Sequence, residues 1–476
     1  MSSVSTVDRT VHRPRLPAGR RWIPRLTLLA FAALAAVTGL TTREVHDDPW
    51  ILYRYAENLA SGDGWTFNPG QATDNAVTSA LTVLVLAGAL MIKIPIFAGS
   101  TALFIVGSWA AASFTFLTLR RAGHAAAGAS AGFLLVLAPP LISLRGMETA
   151  LYLGLLAAAF YVVECRRYMI AGVLLGLAVL ARPDAAVVAA AAVGWLILRE
   201  RAVPWRIGVG TAAVLLPWLA VVVPLTGSVL PSTLEAKAAQ AESGYWSGFL
   251  YGTFMFPLQK EMAFWFLLSL PLGAIGVFAA VRWRLTPLMP LVIGTLGLAI
   301  AYGVVLNVAS YAWYVALPVF LLSWLAGCGA ERLITACSTR GAQAAAAAGL
   351  LAAAVASATQ TPSMLPLRLQ YVEVGAWLAT NTPPNATVAA AEIGRLGYFS
   401  NRTMVDYLGL LDSAAVPHLK QADWSWWIED LQPDYWVADR NPEFTPDEQV
   451  RNNPAFGAAY VQVMATDHMV VYQRRR

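Results

Sequence analysis

The sequence predicts a polytopic α-helical membrane protein with a C-terminal α/β domain, and three observations predict it. Of its 476 residues, 57% are hydrophobic and 13% charged, with a mean hydropathy of +0.56; a soluble domain carries roughly 25% charged residues. Apolar runs long enough to cross or nearly cross a ~30 Å hydrocarbon core recur from residue 22 to residue 360. Beyond that the composition turns soluble, which divides the chain into a membrane module, 1–361, and a polar domain, 362–476.

The net charge of +5 sits on arginines spread over short connections between apolar runs, a pattern of membrane orientation rather than of nucleic-acid binding. Arg9, Arg13, Arg15, Arg20, Arg21 and Arg25 precede "LTLLAFAALAAVTGL". That start reads as a signal peptide or as an uncleaved first helix with a cytoplasmic N-terminus, and the many later spans favour the second. Cys165, Cys328 and Cys337 all lie at ends of apolar runs, which argues against a disulfide framework.

Twelve apolar runs follow: 22–42, 76–93, 97–119, 125–143, 148–164, 168–181, 185–198, 207–226, 262–281, 286–306, 311–331 and 342–360. Arg120/Arg121, Arg166/Arg167, Arg199/Arg201/Arg206, Arg282/Arg284 and Arg332/Arg340 mark alternate connections. All fall on the cytoplasmic side only if one crossing separates the 43–75 loop from Arg120. Of the two runs in that interval, "AVTSALTVLVLAGALMIK" (76–93) is the one that fails to span, because Thr and Ser open it and Lys93 and Pro95 close it. It reads as a juxtamembrane or re-entrant helix shielded by protein. Eleven crossings remain, and the tail lands outside. The outer face then collects 43–75, 144–148, 182–184, 227–261, 307–310 and the C-terminal domain. In that domain a helix is expected near 370–380, strands at "ATVAAAEI" and "DYWVAD", and a hairpin at "AYVQVMATDHMVVYQ". Trp424, Trp426, Trp427 and Trp436 read as core or interfacial aromatics rather than as a sugar-stacking platform. Gly spacings such as "GVLLGLA" in the spans read as helix packing.

The first outer loop is unusual in placing adjacent carboxylates, Asp47 and Asp48, beside a membrane span, where charge is costly. Asp48 before Pro49 opens a helix to about residue 60, stopped by "SGDGW", and its expected local role is an N-cap. Trp50, Ile51, Tyr53, Tyr55, Ala56 and Leu59 form an apolar face suited to the membrane surface. Capping does not use Asp47. A second acid beside the first holds a proton more tightly, as a general base facing an alcohol should. Arg182 and Asp184 lie between runs of about 14 residues, ~21 Å as helix. They should therefore lie below the outer surface, where an ion is expensive and functional or else paired, with Asp184 or Glu148 as partner.

"HDDPW" (46–50) and "YRYAENLASGDGWTFNPG" (53–70), then "GMET" (146–149), "ARPD" (181–184), "LPSTLEAK" (230–237) and "AAEIGRLGYFSNRTMVDYLGLLD" (390–412), taken in order, resemble the bacterial GT-C glycosyltransferases. Within these the likeness is to the actinobacterial terminal arabinofuranosyltransferase group. The resemblance implies a polyprenyl-phosphate sugar donor, arabinofuranose first and mannose second. It also implies a hydroxyl acceptor on a cell-envelope glycan, inversion, and a base on the first acid of the loop, Asp47. Fixed cations must meet the leaving lipid phosphate, and Arg182, Arg145 and Lys237 are the candidates. Arg145 reads equally as an interfacial anchor and Lys237 as part of a solvated helix face. Glu148 and Asp184 are assigned to the acceptor or to support; Glu148 also suits a helix start. His46 is a candidate for phosphate or for a divalent metal, which one His and two Asp leave possible without specifying.

No Walker loop, dinucleotide fingerprint, zinc spacing or nucleophile elbow occurs. The rival reading is a transporter or flippase for a lipid-linked sugar, which would place its charges near the midplane within inverted repeats. Here they gather at one face, and no repeat is evident.

Overall fold

A computed structural model of the chain describes residues 22–43, 46–71, 75–359, 365–440 and 445–475. The arginines of the predicted cytoplasmic start before Trp22 lie outside the described residues, as do 362–364 at the predicted domain boundary. Every apolar run forms a helix. Among the described residues, seven helices are long and apolar enough to cross a membrane: Trp22–Thr41, Ile96–Arg121, Trp205–Thr226, Met262–Arg282, Thr286–Val305, Ala312–Ala336 and Arg340–Ala358. The protein is a multi-pass membrane protein.

The remaining apolar helices, Ala80–Met91, Ala125–Val136, Thr149–Glu164, Tyr168–Ala181 and Ala185–Glu200, have 12 to 16 residues. At 1.5 Å per residue they reach only ~18–24 Å. The eleven full crossings expected are thus seven long helices plus shorter ones. Short helices persist where protein, not lipid, surrounds their ends. Thr149–Glu164 illustrates this, buried along nearly its whole length against Ile96–Arg121 and Tyr168–Ala181. Close approach is made through glycine: a Cβ on Gly172 would strike the Ile207 carbonyl, and one on Gly276 the Leu325 carbonyl.

The C-terminal domain carries a five-stranded sheet of order β2-β1-β3-β5-β4: β1 Thr387–Ala390, β2 Thr403–Asp406, β3 Tyr435–Asp439, β4 Tyr460–Ala465 and β5 Met469–Arg474. β1 pairs parallel with β2 and β3, while β5 runs antiparallel to β3 and β4. The expected helix appears as Leu365–Asn381, and the expected hairpin as β4–β5. The four tryptophans are core, each at most 7% exposed.

The predicted helix of the first loop runs Asp48–Ser61 and stops at Gly62, whose φ of 91° suits glycine. Its apolar face does not lie along the membrane surface. Trp50, Tyr53, Tyr55 and Ala56 are buried in one cluster with Ile393, Leu396 and Met404 of the C-terminal domain and with the Ala80–Met91 helix. Polar clasps reinforce that docking. The Arg54 guanidinium donates to the Arg402 carbonyl at 2.8 Å, Asn68 exchanges two bonds of 2.9 Å with the Met404 backbone, and Tyr398 bonds Glu57.

Candidate functional site

Asp48 opens its helix but does not cap it, and Asp47, at the N-cap position, makes no cap bond to that helix either. Asp47 reaches across to the C-terminal domain. Its carboxylate accepts from the backbone N–H of Gly394 at 2.5 Å and of Arg395 at 2.9 Å, and from the Arg395 guanidinium at 3.4 Å. It thereby caps the Ile393–Ser400 helix, whose dipole favours an anion there. The fit is close enough that a Cβ on Gly394 would enter the Asp47 carboxylate. Gly394→Ala is expected to weaken this docking by about 1–3 kcal/mol. Faster amide exchange across 394–400 is the measurement that checks it.

Asp48 instead lines two adjoining cavities. The larger, of about 280 Å³, lies between the membrane module and the C-terminal domain, with Lys237, Tyr311, Glu392 and Asp439 in its walls. The smaller, of about 40 Å³, is lined by Asp48, Glu148, Thr233 and Lys237. A third, of about 50 Å³, holds Arg182, Asp184, Lys237 and the apolar Leu230, Pro231 and Leu234. Lys237 and Trp313 line all three. Burial pushes the Asp48 carboxyl up to about 6; Lys237 pulls it down and Asp47 pushes it up.

"STLEAKAAQAE" is a buried helix, Thr233–Glu242, not a solvated one: Thr233, Lys237 and Gln240 stand on the face toward the cavities. Lys237 is buried, only 6% exposed. Among the described residues its ammonium has no hydrogen bond or ion pair. It sits over Trp313, Tyr311 and Tyr314, at 5.1, 5.5 and 5.9 Å from the ring centroids. Burial lowers it from its ordinary value of 10.5, against the nearby Asp48, which raises it.

Arg182 is committed to two carboxylates. It donates to Asp184 at 2.6 and 3.1 Å in a fork and to Glu148 at 2.8 Å, all three side chains being buried. This uses three of the five guanidinium N–H groups. Glu148 Oε2 is buried without a hydrogen-bond partner. Arg145 stands apart. It is buried, donates to the Gly39 carbonyl at 2.9 Å and to Thr101, and lines none of the three cavities. It ties two helices together. His46 lies edge-on to Trp313 at 6.4 Å. No group of three or more His, Cys, Asp or Glu side chains among the described residues is arranged to hold a metal ion.

Asp47, Asp48, Glu148, Arg182, Asp184 and Lys237 thus come together at one end of the bundle, whereas Arg145 does not join them. Sequence reasoning missed the aromatic cage and the C-terminal-domain wall. "SYAWYV" (310–315) was the available signal for the cage, a polar-aromatic cluster at the mouth of a span.

A family described as Domain of unknown function (DUF8728) matches residues 363–472. No curated protein matches the chain in sequence. Among solved structures, the chain is similar to ArnT from Cupriavidus metallidurans bound to undecaprenyl phosphate. The identity is 12% and the TM-score 0.63, over 96% of this chain and 98% of that one. It is similar to the Archaeoglobus fulgidus oligosaccharyltransferase tethered with an acceptor peptide, at 14% identity and TM-score 0.56, over 96% and 74%. It is also similar to the arabinofuranosyltransferase AftD from Mycobacteria, at 14% identity and TM-score 0.54, over 96% of this chain and 40% of that one. The chain shares the fold of these three structures, in keeping with the fold that the order of segments from "HDDPW" to "LPSTLEAK" led us to expect.

Proposed function

We propose that the protein is a glycosyltransferase that moves a sugar from a polyprenyl phosphate to a hydroxyl of a cell-envelope glycan, with inversion. One observation carries this reading: a half-buried carboxylate, Asp48, and an unpaired buried ammonium, Lys237, face the same cavities in a GT-C fold. In the reaction the acceptor hydroxyl passes its proton to Asp48 as its oxygen bonds the anomeric carbon. The anomeric C–O bond to phosphate breaks, and the electron pair leaves on the lipid phosphate beside Lys237. The two remaining N–H groups of Arg182 support that charge, Asp184 and Glu148 hold Arg182, and Leu230 and Leu234 flank the lipid side. The base assignment moves from Asp47 to Asp48, because Asp47 is spent on the C-terminal domain.

Arabinofuranose is the first sugar to test and mannose the second, on the strength of the segment resemblance and the likeness to AftD. An outer-face reaction is supported by where the arginines stand. Glu148 and Asp184 begin the helices Thr149–Glu164 and Ala185–Glu200, whose far ends carry Arg166 and Arg199. That arrangement points an extracytoplasmic C-terminal domain and a cytoplasmic N-terminus.

The test is transfer of labelled arabinofuranose from polyprenyl phosphate into glycan by membranes containing the protein. Counterflow of labelled lipid without product would replace transfer by transport. Lys237→Met is expected to weaken donor use by roughly 1.5–3 kcal/mol, the worth of a hydrogen bond to a charged group. It should also move the acid limb of the pH–rate profile above about 6, since Lys237 holds Asp48 down.

A further inference from the structure

We propose that an apolar crevice at the end of the bundle remote from the candidate site is a seat for one anionic phospholipid. An acyl chain fills the crevice, and the headgroup rests on the arginines at its mouth. The inference stands apart from the transferase reading, since it concerns another ligand at the opposite end of the fold.

The crevice has a volume of about 330 Å³ and is bounded by four helices, Ala125–Val136, Lys260–Arg282, Ala316–Ala336 and Arg340–Ala358. Ala316–Ala336 starts beside Tyr314 of the candidate site and contributes Ala330 and Ile334, ~21 Å or more further along its axis. Leu134, Leu272, Ala330 and Ala354 form a buried floor, while Leu351 on the rim is exposed. Three of the four walls are membrane-spanning lengths, so the rim opens sideways on lipid.

The lining holds one polar side chain, Ser130. Arg340–Ala358 is lightly seated, its buried residues being Ala354 and Ser357 alone. It faces the crevice with Ala347 and Ala348, whose side chains are too short to reach the opposite wall. An apolar cavity of this kind does not hold water, and an empty one forfeits the dispersion contacts of its lining. Beside hydrocarbon, the matter that fills it is a lipid chain. Arg340–Ala358 is also the last span before the C-terminal domain, so a chain wedged under it steadies the attachment of that domain.

The mouth selects the headgroup. The His124 ring stacks on Trp283 at 3.9 Å and bonds Glu331 at 2.9 Å, which gathers the ends of three wall helices. Glu331 also accepts from the Ala127 N–H at 2.7 Å, and it is the one acid between residues 282 and 345. Against this single committed acid stand Arg282, Arg284, Arg332 and Arg340, all exposed. Arg340 precedes Ala347 and Ala354 by one and two heptads, and Arg282 follows Leu268 by two. Both arginines therefore stand close to the lining faces of their helices. Basic pockets between membrane helices hold anionic headgroups in this way.

The test uses the full chain, purified in detergent and stripped of lipid, with native mass spectrometry counting the lipids it takes up. Phosphatidylglycerol is expected to bind about tenfold or more tighter than phosphatidylcholine of the same chains, the order of effect of two arginines at a headgroup. Arg282→Gln/Arg340→Gln should bring the two lipids level and leave both bound. Ala347→Phe/Ala348→Phe fills the crevice from exposed rim positions and should weaken both. Phosphatidylglycerol should raise the unfolding temperature of the wild type and not that of the filled variant. If the filled variant does not fold, the arginine pair, at exposed helix ends, decides alone. Equal binding of the two lipids by the wild type would overturn the proposal, as would an unchanged preference in the arginine variant. So would undiminished lipid binding by a filled variant that unfolds like the wild type. Displacement of phosphatidylglycerol by equimolar polyprenyl phosphate would give the crevice to that lipid instead. A lipid-independent dimer broken by Ala347→Phe/Ala348→Phe would give it to a second copy of the chain, and either result ends the proposal.

Discussion

Asp48→Asn is expected to lower transfer by about 10²–10⁴-fold, the usual worth of a positioned general base, and to abolish the acid limb of the pH–rate profile. In the wild type that limb should fall near pH 6, because burial pushes the Asp48 carboxyl up to about 6. Below that pH the carboxyl is protonated and has no capacity for the acceptor's proton; above it the rate levels off. A second limb should appear below the ordinary 10.5 of a lysine, as the lowered Lys237 ammonium loses its charge. Asp47→Asn is the informative partner. It removes a negative charge that raises Asp48, so the acid limb should survive and move below about 6. Its rate should also fall, since an amide in place of the carboxylate satisfies only one of the Gly394 and Arg395 N–H groups. Loss of the limb in Asp47→Asn with its retention in Asp48→Asn would return the base to Asp47.

That comparison also marks the limit of what the residues themselves could say. Two adjacent acids at a span mouth were legible as chemistry. Which of them faces the cavities was not, because Asp47 is claimed by a backbone N–H 347 residues away. The apolar face of the first-loop helix was likewise legible as a face, but a membrane surface and a docked domain select the same residues. Helical runs were read well because a run of apolar residues has no competing interpretation; length alone does not decide which of them cross, because a short helix sheathed by protein needs no 30 Å. β2 went unread: four residues, "TMVD", carry too little alternation to stand out, and the strand exists because β1 is beside it. The cage around Lys237 combines the Thr233–Glu242 helix with Tyr311 and Trp313, which no local pattern joins. Lys237, Arg182, Asp184 and Glu148 could be named because charge in an apolar setting stands out by itself.

The buried Arg182 was expected to be either a phosphate ligand or half of an ion pair, and the structure shows it paired with both Asp184 and Glu148. Mutants separate the two. Arg182→Met leaves Glu148 and Asp184 buried without their cation, and breaking a buried pair in this way costs about 3–5 kcal/mol. The variant is expected to unfold at a clearly lower temperature and to lose transfer. Glu148→Gln should be far milder, because Arg182 keeps its two-point fork on Asp184. The decisive protein is the triple variant Arg182→Met/Glu148→Gln/Asp184→Asn, in which no buried charge is left unpaired. Replacing a whole buried ionic group is often close to neutral for stability, so its unfolding temperature should return most of the way to wild type. If transfer returns with it, the triad serves only to hold Thr149–Glu164 against Ala185–Glu200. If the folded triple variant still transfers poorly and its donor KM is raised while its acid limb stays near pH 6, the guanidinium acts on the lipid phosphate. The second outcome is expected, because Arg182 lines the compartment that it shares with Lys237, and two of its N–H groups remain for a ligand.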